Sequence, residues 1–269
     1  MASPSSIKRA YFPSAFIALA LALSLGLSAC ASSGGPYQGM NLDEVYQIGL
    51  EHLENEDWGD AIEAFETVVF GAEGLAEAGP ARYYLGRAFF GDEQYLTAAA
   101  EFERFLERFP NHTLAPQAAL GVCESYVALS PIIPRDQGDT ERAYRECQAA
   151  ALDFAGTEAA QEAAELRERM WQKLAEKVYH SGNYYFSRNL YDSAILYFED
   201  VVENYSDTEA APRALARMYE AYQEIGYEEE AEETREQLLR DYPDSEAAQG
   251  LDASDSAASV SSSDSRLGG

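Results

Sequence analysis

The sequence predicts an all-α chain folded as a solenoid of about five helix-turn-helix units. A frame of Gly, aromatic, Ala and Phe recurs along it. Gly49, Trp58, Ala61 and Phe65 are matched by Gly86, Tyr95, Ala98 and Phe102, and again by Gly182, Tyr191, Ala194 and Phe198. No stretch shows the sustained period-two alternation of a strand. Small residues in a fixed register let two antiparallel helices approach closely. Each such pair leaves an apolar face that its neighbour must cover.

The elements follow in order. Asn41 with Glu44 three residues on is a capping box opening the first helix. The turn "GDEQY" separates the two helices of the second unit, and Pro110 closes it. Tyr95 and Phe102 are expected to fill the space towards the next pair. A degenerate third unit is carried by Gly121, Ala143 and Cys147. Its turn is lengthened by "SPIIPRDQGDTE" (130–141), where two prolines forbid helix. Residues 157–187 hold no breaker except Gly182 and read as one extra-long helix or a paired one. The last unit reads as Gly226, Ala231, Leu238 and Pro243. The anchoring alanines at 61, 98, 143, 194 and 231 are 37, 45, 51 and 37 residues apart. This resembles the tetratricopeptide repeat, nominally about 34 residues, with longer connections in the middle. The array is expected over 41–249, in halves 41–156 and 157–249. The Ser/Asp-rich tail 250–269 is expected to be disordered.

The start of the chain has a different purpose. Its apolar run, Ala15 to Leu27, is 13 residues long, whereas a membrane span needs about 20. Lys8 and Arg9 precede it, as in a secretory leader. Leu27-Ser28-Ala29-Cys30 resembles a bacterial lipobox, which implies a signal peptide over 1–29 and lipid on Cys30. "ASSGGPYQG" then serves, with Cys30, as a flexible tether over 30–40. Cleavage removes two cations and no acid, taking the formal charge from −28 to −30. Such a surface repels nucleic acid and anionic headgroups alike, so no nucleic-acid partner is expected and membrane contact falls to the lipid.

Catalytic constellations are missing from the sequence. His52, His112 and His180 are scattered, and no phosphate-cradling loop, nucleophile elbow or calcium loop occurs. The chain reads as no enzyme, with no metal and no cofactor beyond the covalent lipid. After Cys30 only Cys123 and Cys147 remain. Export permits a bond, but two cysteines are no framework, and they read first as buried thiols.

Lipobox, tether and repeats together resemble the outer-membrane protein assembly lipoprotein family BamD over roughly residues 42–245. The most specific stretch carries Leu174-Ala175, Tyr184-Tyr185, Arg188, Tyr191, Ala194 and Tyr205-Ser206-Asp207-Thr208. The long turn with Asp136-Gln137 also looks like that family's insertion. Ser206 departs from the usual Pro, and Leu196-Tyr197 stands where many members carry Asn-Arg. The resemblance implies a lipid-anchored scaffold on the periplasmic face of the outer membrane. Its partners would be the barrel subunit of the β-barrel assembly machinery, met through the C-terminal repeats, and the accessory lipoproteins. The N-terminal repeats would receive unfolded outer-membrane proteins by an aromatic-ending C-terminal signal. Competing readings are another tetratricopeptide envelope lipoprotein (a secretin pilot or cell-envelope coordination factor) and an envelope hydrolase or small-ligand binding protein.

The residues can be asked separately for a groove. Concave positions fall on the first helix of each pair. From the aligned glycines these are Tyr46, Leu50 and Leu53, then Tyr83, Arg87 and Phe90, then Val122 and Tyr126. That strip is aromatic and apolar with one cation. The last repeat instead offers Arg213, Ala216, Glu220 and Gln223. The contrast places a peptide groove in the first half.

Overall fold

The structure is a computed structural model describing residues 35–72 and 78–251. The leader over 1–29, Cys30 and the tail beyond residue 251 lie outside the described residues. By internal contacts the chain divides between Asn41 and Leu42. Before that boundary the described residues hold a turn at 36–39.

After it come ten complete helices among the described residues: α1 Leu42–Glu54, α2 Trp58–Gly71, α3 Ala78–Gly91, α4 Tyr95–Arg108, α5 Ala115–Leu129, α6 Gly138–Asp153, α7 Glu158–Phe186, α8 Tyr191–Asn204, α9 Ala210–Ile225 and α10 Glu228–Asp241. No described residue lies in a strand. Each helix packs on the next, and the odd-numbered helices also touch in sequence, α1 to α3, α3 to α5, α5 to α7 and α7 to α9. The even-numbered helices make no such contacts with one another. The odd helices therefore form a continuous inner layer and the even helices an outer one, which is the two-layer organisation of a helical-repeat solenoid.

The recurrent glycine explains how the layers meet. A Cβ on Gly49 would stand 2.8 Å from the Phe65 ring, and one on Gly86 would stand 2.7 Å from the Phe102 ring. Gly182 is covered in the same way by Phe198. All three rings are fully buried. Each phenyl of the outer layer thus lies on bare backbone of the inner layer, which no side chain larger than hydrogen allows. Phe102 also covers Gly121 of the following unit, so it bridges two repeats. Tyr95 instead packs edge-on against Phe90 of its own unit, with ring centroids 5.3 Å apart.

Two frame positions differ from the sequence reading. Ala143 plus four residues is Cys147, the slot that Phe65, Phe102 and Phe198 fill after Ala61, Ala98 and Ala194. Cys147 is disulfide-bonded to Cys123 of α5, their Cα atoms 4.6 Å apart and both side chains fully buried. In the third unit a covalent bond replaces the ring-on-glycine contact, and Cys123 rather than Gly121 holds the inner position. Closing a loop of this length contributes about 3 kcal/mol in the chain-entropy account. Gly226 is the second difference. It lies five residues before Ala231, as Glu56, Glu93 and Asn189 lie five before their alanines, and all four are left-handed (φ 79°, 61°, 60° and 59°). At each, an N–H one residue further on returns to a carbonyl five residues back, at 2.8–3.1 Å, from Asp57, Gln94, Leu190 and Tyr227. This is a Schellman stop ending the inner helix of the unit. Gly226 is a turn glycine and not a packing one.

The middle of the array is held by α7, one unbroken helix of 29 residues. Thr157 caps it by accepting from the Ala160 N–H at 3.2 Å. Its first half buries Ala159, Ala163 and Leu166 around the disulfide, and its second half buries Ala175 with Phe198 and Leu215. Trp171, between them, packs on Tyr144 and Tyr205 with centroids 5.0 and 4.5 Å away. The long turn ends earlier than expected, with helix resuming at Gly138. Gln137 ties it down, donating to the carbonyls of Ile132, Ile133 and Arg135 and accepting from Thr140. Lys173 and Lys177, one turn apart on α7, donate to Ser130 and Pro134 and fasten this loop to the long helix.

Adding a methyl group at the close approach should be costly, and adding one elsewhere should help. Gly182→Ala is expected to lose about 1–3 kcal/mol through overpacking against Phe198. Gly59→Ala, where nothing lies within 4 Å, should gain up to about 1 kcal/mol from reduced backbone freedom. Denaturant midpoints of the two variants measure the contrast, and equal shifts would contradict this packing scheme.

Candidate substrate-binding groove

Between the first two units the inner layer opens into a cavity of about 490 Å³. Leu53 and Glu54 of α1, Trp58 of α2, and Tyr83, Tyr84, Arg87, Phe90 and Gly91 of α3 line it. Gly91 is what lets the wall close. A Cβ there would stand 2.6 Å from the Trp58 indole, so the ring can lie flat across the end of α3. Tyr84 is stacked on Phe65 at 5.8 Å, which anchors the aromatic wall to the core.

Of the residues expected on the concave strip, the structure brings Leu53, Tyr83, Arg87 and Phe90 together around this cavity. Tyr46 is half-buried beside it, edge-on to Phe65 and Tyr84 at 5.9 and 6.1 Å, and Leu50 is half-buried on the same helix. Val122 and Tyr126 sit in the packed interior, each 4 % exposed. Val122 borders a separate depression of about 300 Å³ with Leu106 and Phe154. The Arg142 guanidinium lies 4.1 Å above the Tyr126 ring. The cause is the register of the third unit. With Cys123 in the inner slot, the positions matching Arg87 and Phe90 are Glu124 and Val127. Trp58, Glu54, Tyr84 and Glu124 were missed from sequence. Aligning Tyr83-x-x-Gly86 with Leu120-x-x-Cys123, and treating Cys as a small residue, would have found Glu124.

The polar groups are few and coupled. Arg87 is exposed and favours the ionised form of the Tyr83 phenol. Burial pushes the Tyr83 phenol up, against the pull of Arg87. Burial likewise pushes the Glu124 carboxyl above its ordinary 4.5; Arg87 opposes this, and Glu162 of α7 reinforces it by repulsion. Four aromatic rings, an aliphatic side chain and one exposed guanidinium suit a ligand that is apolar and aromatic at one point and anionic at another. Among the described residues no group of three or more His, Cys, Asp or Glu could hold a metal ion, and no helix is long and apolar enough to cross a membrane.

A family model described as outer membrane lipoprotein, YfiO, matches residues 38–238. The chain belongs to this family. Relatives named outer membrane protein assembly factor BamD include that of Caulobacter vibrioides, 26 % identical over 207 residues, which span 77 % of this chain and 68 % of the relative. The factor of Neisseria meningitidis serogroup A is 23 % identical over 245 residues, 85 % and 92 % of the two chains. That of Vibrio cholerae is 25 % identical over 226 residues, 80 % and 93 %. Among solved structures, MamA matches at 16 % identity and TM-score 0.34, over 74 % of this chain and 91 % of its own. The yeast Sti1 TPR2AB domain–pHSP90 complex matches at 12 % and 0.41, over 77 % and 80 %. These two scores are too low to carry an argument, and the fold rests on the helix pairing above.

The Glu124 environment has a consequence for stability. A carboxyl raised in the folded state stabilises the fold below its unfolded value and loses that contribution as pH rises through the folded one. Glu124→Gln is therefore expected to melt at a higher temperature than wild type at pH 7. The advantage should shrink to nothing as pH falls below the ordinary 4.5. Thermal melts over that range measure it, and a constant difference would remove the electrostatic explanation.

Proposed function

We propose that this outer membrane lipoprotein is a non-catalytic scaffold for assembly of β-barrel proteins into the outer membrane. In this reading Cys30 carries the lipid that holds the domain at the periplasmic face of the membrane. The cavity between the first two units receives unfolded outer-membrane proteins by a C-terminal aromatic residue and its carboxylate. The observation carrying the reading is the joining of Tyr83, Tyr84, Trp58 and Phe90 with Arg87 around one cavity of peptide-end dimensions. The family membership and the name shared by the relatives support the wider role.

The C-terminal repeats are the docking side for the barrel subunit and its accessory lipoproteins. Supporting this, the fourth unit exposes Tyr184, Leu190, Leu196 and Tyr197, which a lone chain gains nothing by presenting to water. Tyr197 is stacked on Tyr185 with centroids 5.2 Å apart, so the patch is preorganised. It occupies the region where Leu196-Tyr197 departs from the Asn-Arg of many members. An apolar contact would stand here where those members use a charged one.

Two measurements test the reading. Cys30→Ala should abolish incorporation of labelled fatty acid and release the protein from membranes, and continued labelling would overturn the anchor. For the groove, a short peptide ending in Phe is titrated by fluorescence as its free acid and as its amide. Phe90→Ala is expected to weaken both by about tenfold or more, in the range of aromatic anchors at interfaces. Arg87→Glu should impair the acid and spare the amide, because the forked guanidinium hydrogen bond needs the carboxylate. Equal losses for acid and amide would place the carboxylate elsewhere.

A further inference from the structure

Another depression, of about 350 Å³, lies on the second unit and shares no residue with the groove. Arg82 of α3 and Arg104, Glu107 and Arg108 of α4 line it. The chain has 19 cations against 47 acids, so three arginines at one place need a reason. Their placement is built into the fold. Phe109 seats on Gly79, where a Cβ would stand 3.4 Å from the ring, and this draws the end of α4 to the start of α3. Glu101 is 7 % exposed and holds two of the three guanidinium groups. Arg82 donates from Nη1 to Oε2 of Glu101 at 2.6 Å, and Arg104 donates from Nη1 to Oε1. Each of these arginines thus spends one nitrogen of a fork that carries five N–H donors. The remaining nitrogens of Arg82 are not sealed in the interior, where only His52 Nδ1 is both buried and unpartnered among the described residues. Arg108 makes no hydrogen bond or ion pair among the described residues. We infer that this depression is a binding site for a phosphate ester.

Neutralising Glu101 does not account for the cluster. One guanidinium would balance that carboxylate, and two already hold it, one on each oxygen. Arg108 is the third and has nothing to balance there. A carboxylate ligand offers two oxygens in one plane, which a single fork can satisfy. A phosphate group offers its oxygens in a tetrahedral array, so guanidinium groups arriving from two helices can each take one. The depression also leaves room for the alcohol part of an ester beside the phosphate. Charge sets the mode of capture. Three guanidinium groups against Glu101 and Glu107 leave one positive charge in excess, within a chain whose overall charge repels anions at a distance. Binding therefore comes from forked contact and not from long-range attraction. Glu101 holds Arg82 and Arg104 before any ligand arrives, so chiefly Arg108 must be ordered on binding, which lowers the entropic cost. A soluble phosphate ester and the headgroup of a phospholipid share this chemistry.

The experiment uses the mature lipidated chain in a phosphate-free maltoside detergent. Glycerol phosphate and, separately, dihexanoylphosphatidylglycerol are added, and the phosphorus NMR signal of each is followed. Saturable broadening is expected, which sulfate, also tetrahedral, should reverse and acetate at equal ionic strength should not. Arg108→Gln is expected to weaken binding about tenfold or more, the loss of a hydrogen bond between charged groups. Arg169→Gln removes another exposed cation, from α7, and should change binding by less than about twofold. Both arginines are exposed, and matched melting temperatures check that both variants fold. Tighter binding of the lipid assigns the headgroup as the source and tighter binding of glycerol phosphate assigns a soluble ester, and each upholds the site. No saturable broadening with either compound, reversal by acetate, or equal effects of the two substitutions overturns it.

Discussion

A phenyl ring laid against bare backbone is the contact on which the rest of this molecule depends. Phe65 on Gly49, Phe102 on Gly86 and Phe198 on Gly182 set the distance between inner and outer helices in three units. With that distance fixed, the alanines at 61, 98 and 194 can be fully buried beside the rings. The arrangement has no tolerance for a methyl group, since interiors are packed to the density of organic crystals. Where the third unit lacks the ring, the Cys123–Cys147 bond occupies the same slot and the buried alanine beside it, Ala143, is unchanged. A small-residue core can be closed by a large ring or by a covalent link, and this chain uses both.

The inner layer that these contacts create also carries the cavity of the first two units. Four of its five odd-numbered helices, α1, α3, α7 and α9, are stopped by a left-handed residue, and the stop turns the chain back into the outer layer. Trp58, first residue of an outer helix, crosses this turn to lie on Gly91 at the end of the next inner helix. The cavity is therefore a by-product of the same device that builds the repeats, an aromatic ring seated on glycine. Its electrostatics come from sparse placement of cations. Arg87 is the one guanidinium on the cavity wall, and it favours the ionised forms of Tyr83 and Glu124.

The long helix α7 gives the array its continuity. It belongs to the core around the disulfide and to the core around Phe198 and Leu215. Its lysines fasten the one long turn, and Trp171 on its flank packs on aromatic residues from both sides. A break at this helix would leave two short arrays, each with an uncovered end, and an uncovered apolar face is what stacked repeats must avoid.

The sequence alone determined the repeat. Residue size at fixed spacing is a local property, and Gly49, Gly86 and Gly182 with their phenylalanines specify antiparallel helix pairs without reference to anything distant. It also determined the aromatic character of the first two inner helices, and so Leu53, Tyr83, Arg87 and Phe90 of the cavity. The tertiary structure decided what spacing could not reach. The insertion at 130–137 breaks the count between the two helices of the third unit, so only the bond from Cys147 shows that Cys123 holds the inner slot. That two-residue change buries Val122 and Tyr126 and puts Glu124 within the electrostatic reach of Arg87. The disulfide and the roles of Trp58 and Glu54 were hidden for the same reason. Each depends on which residues from different helices face one another, and a linear pattern records periodicity within a helix but not the alignment between two.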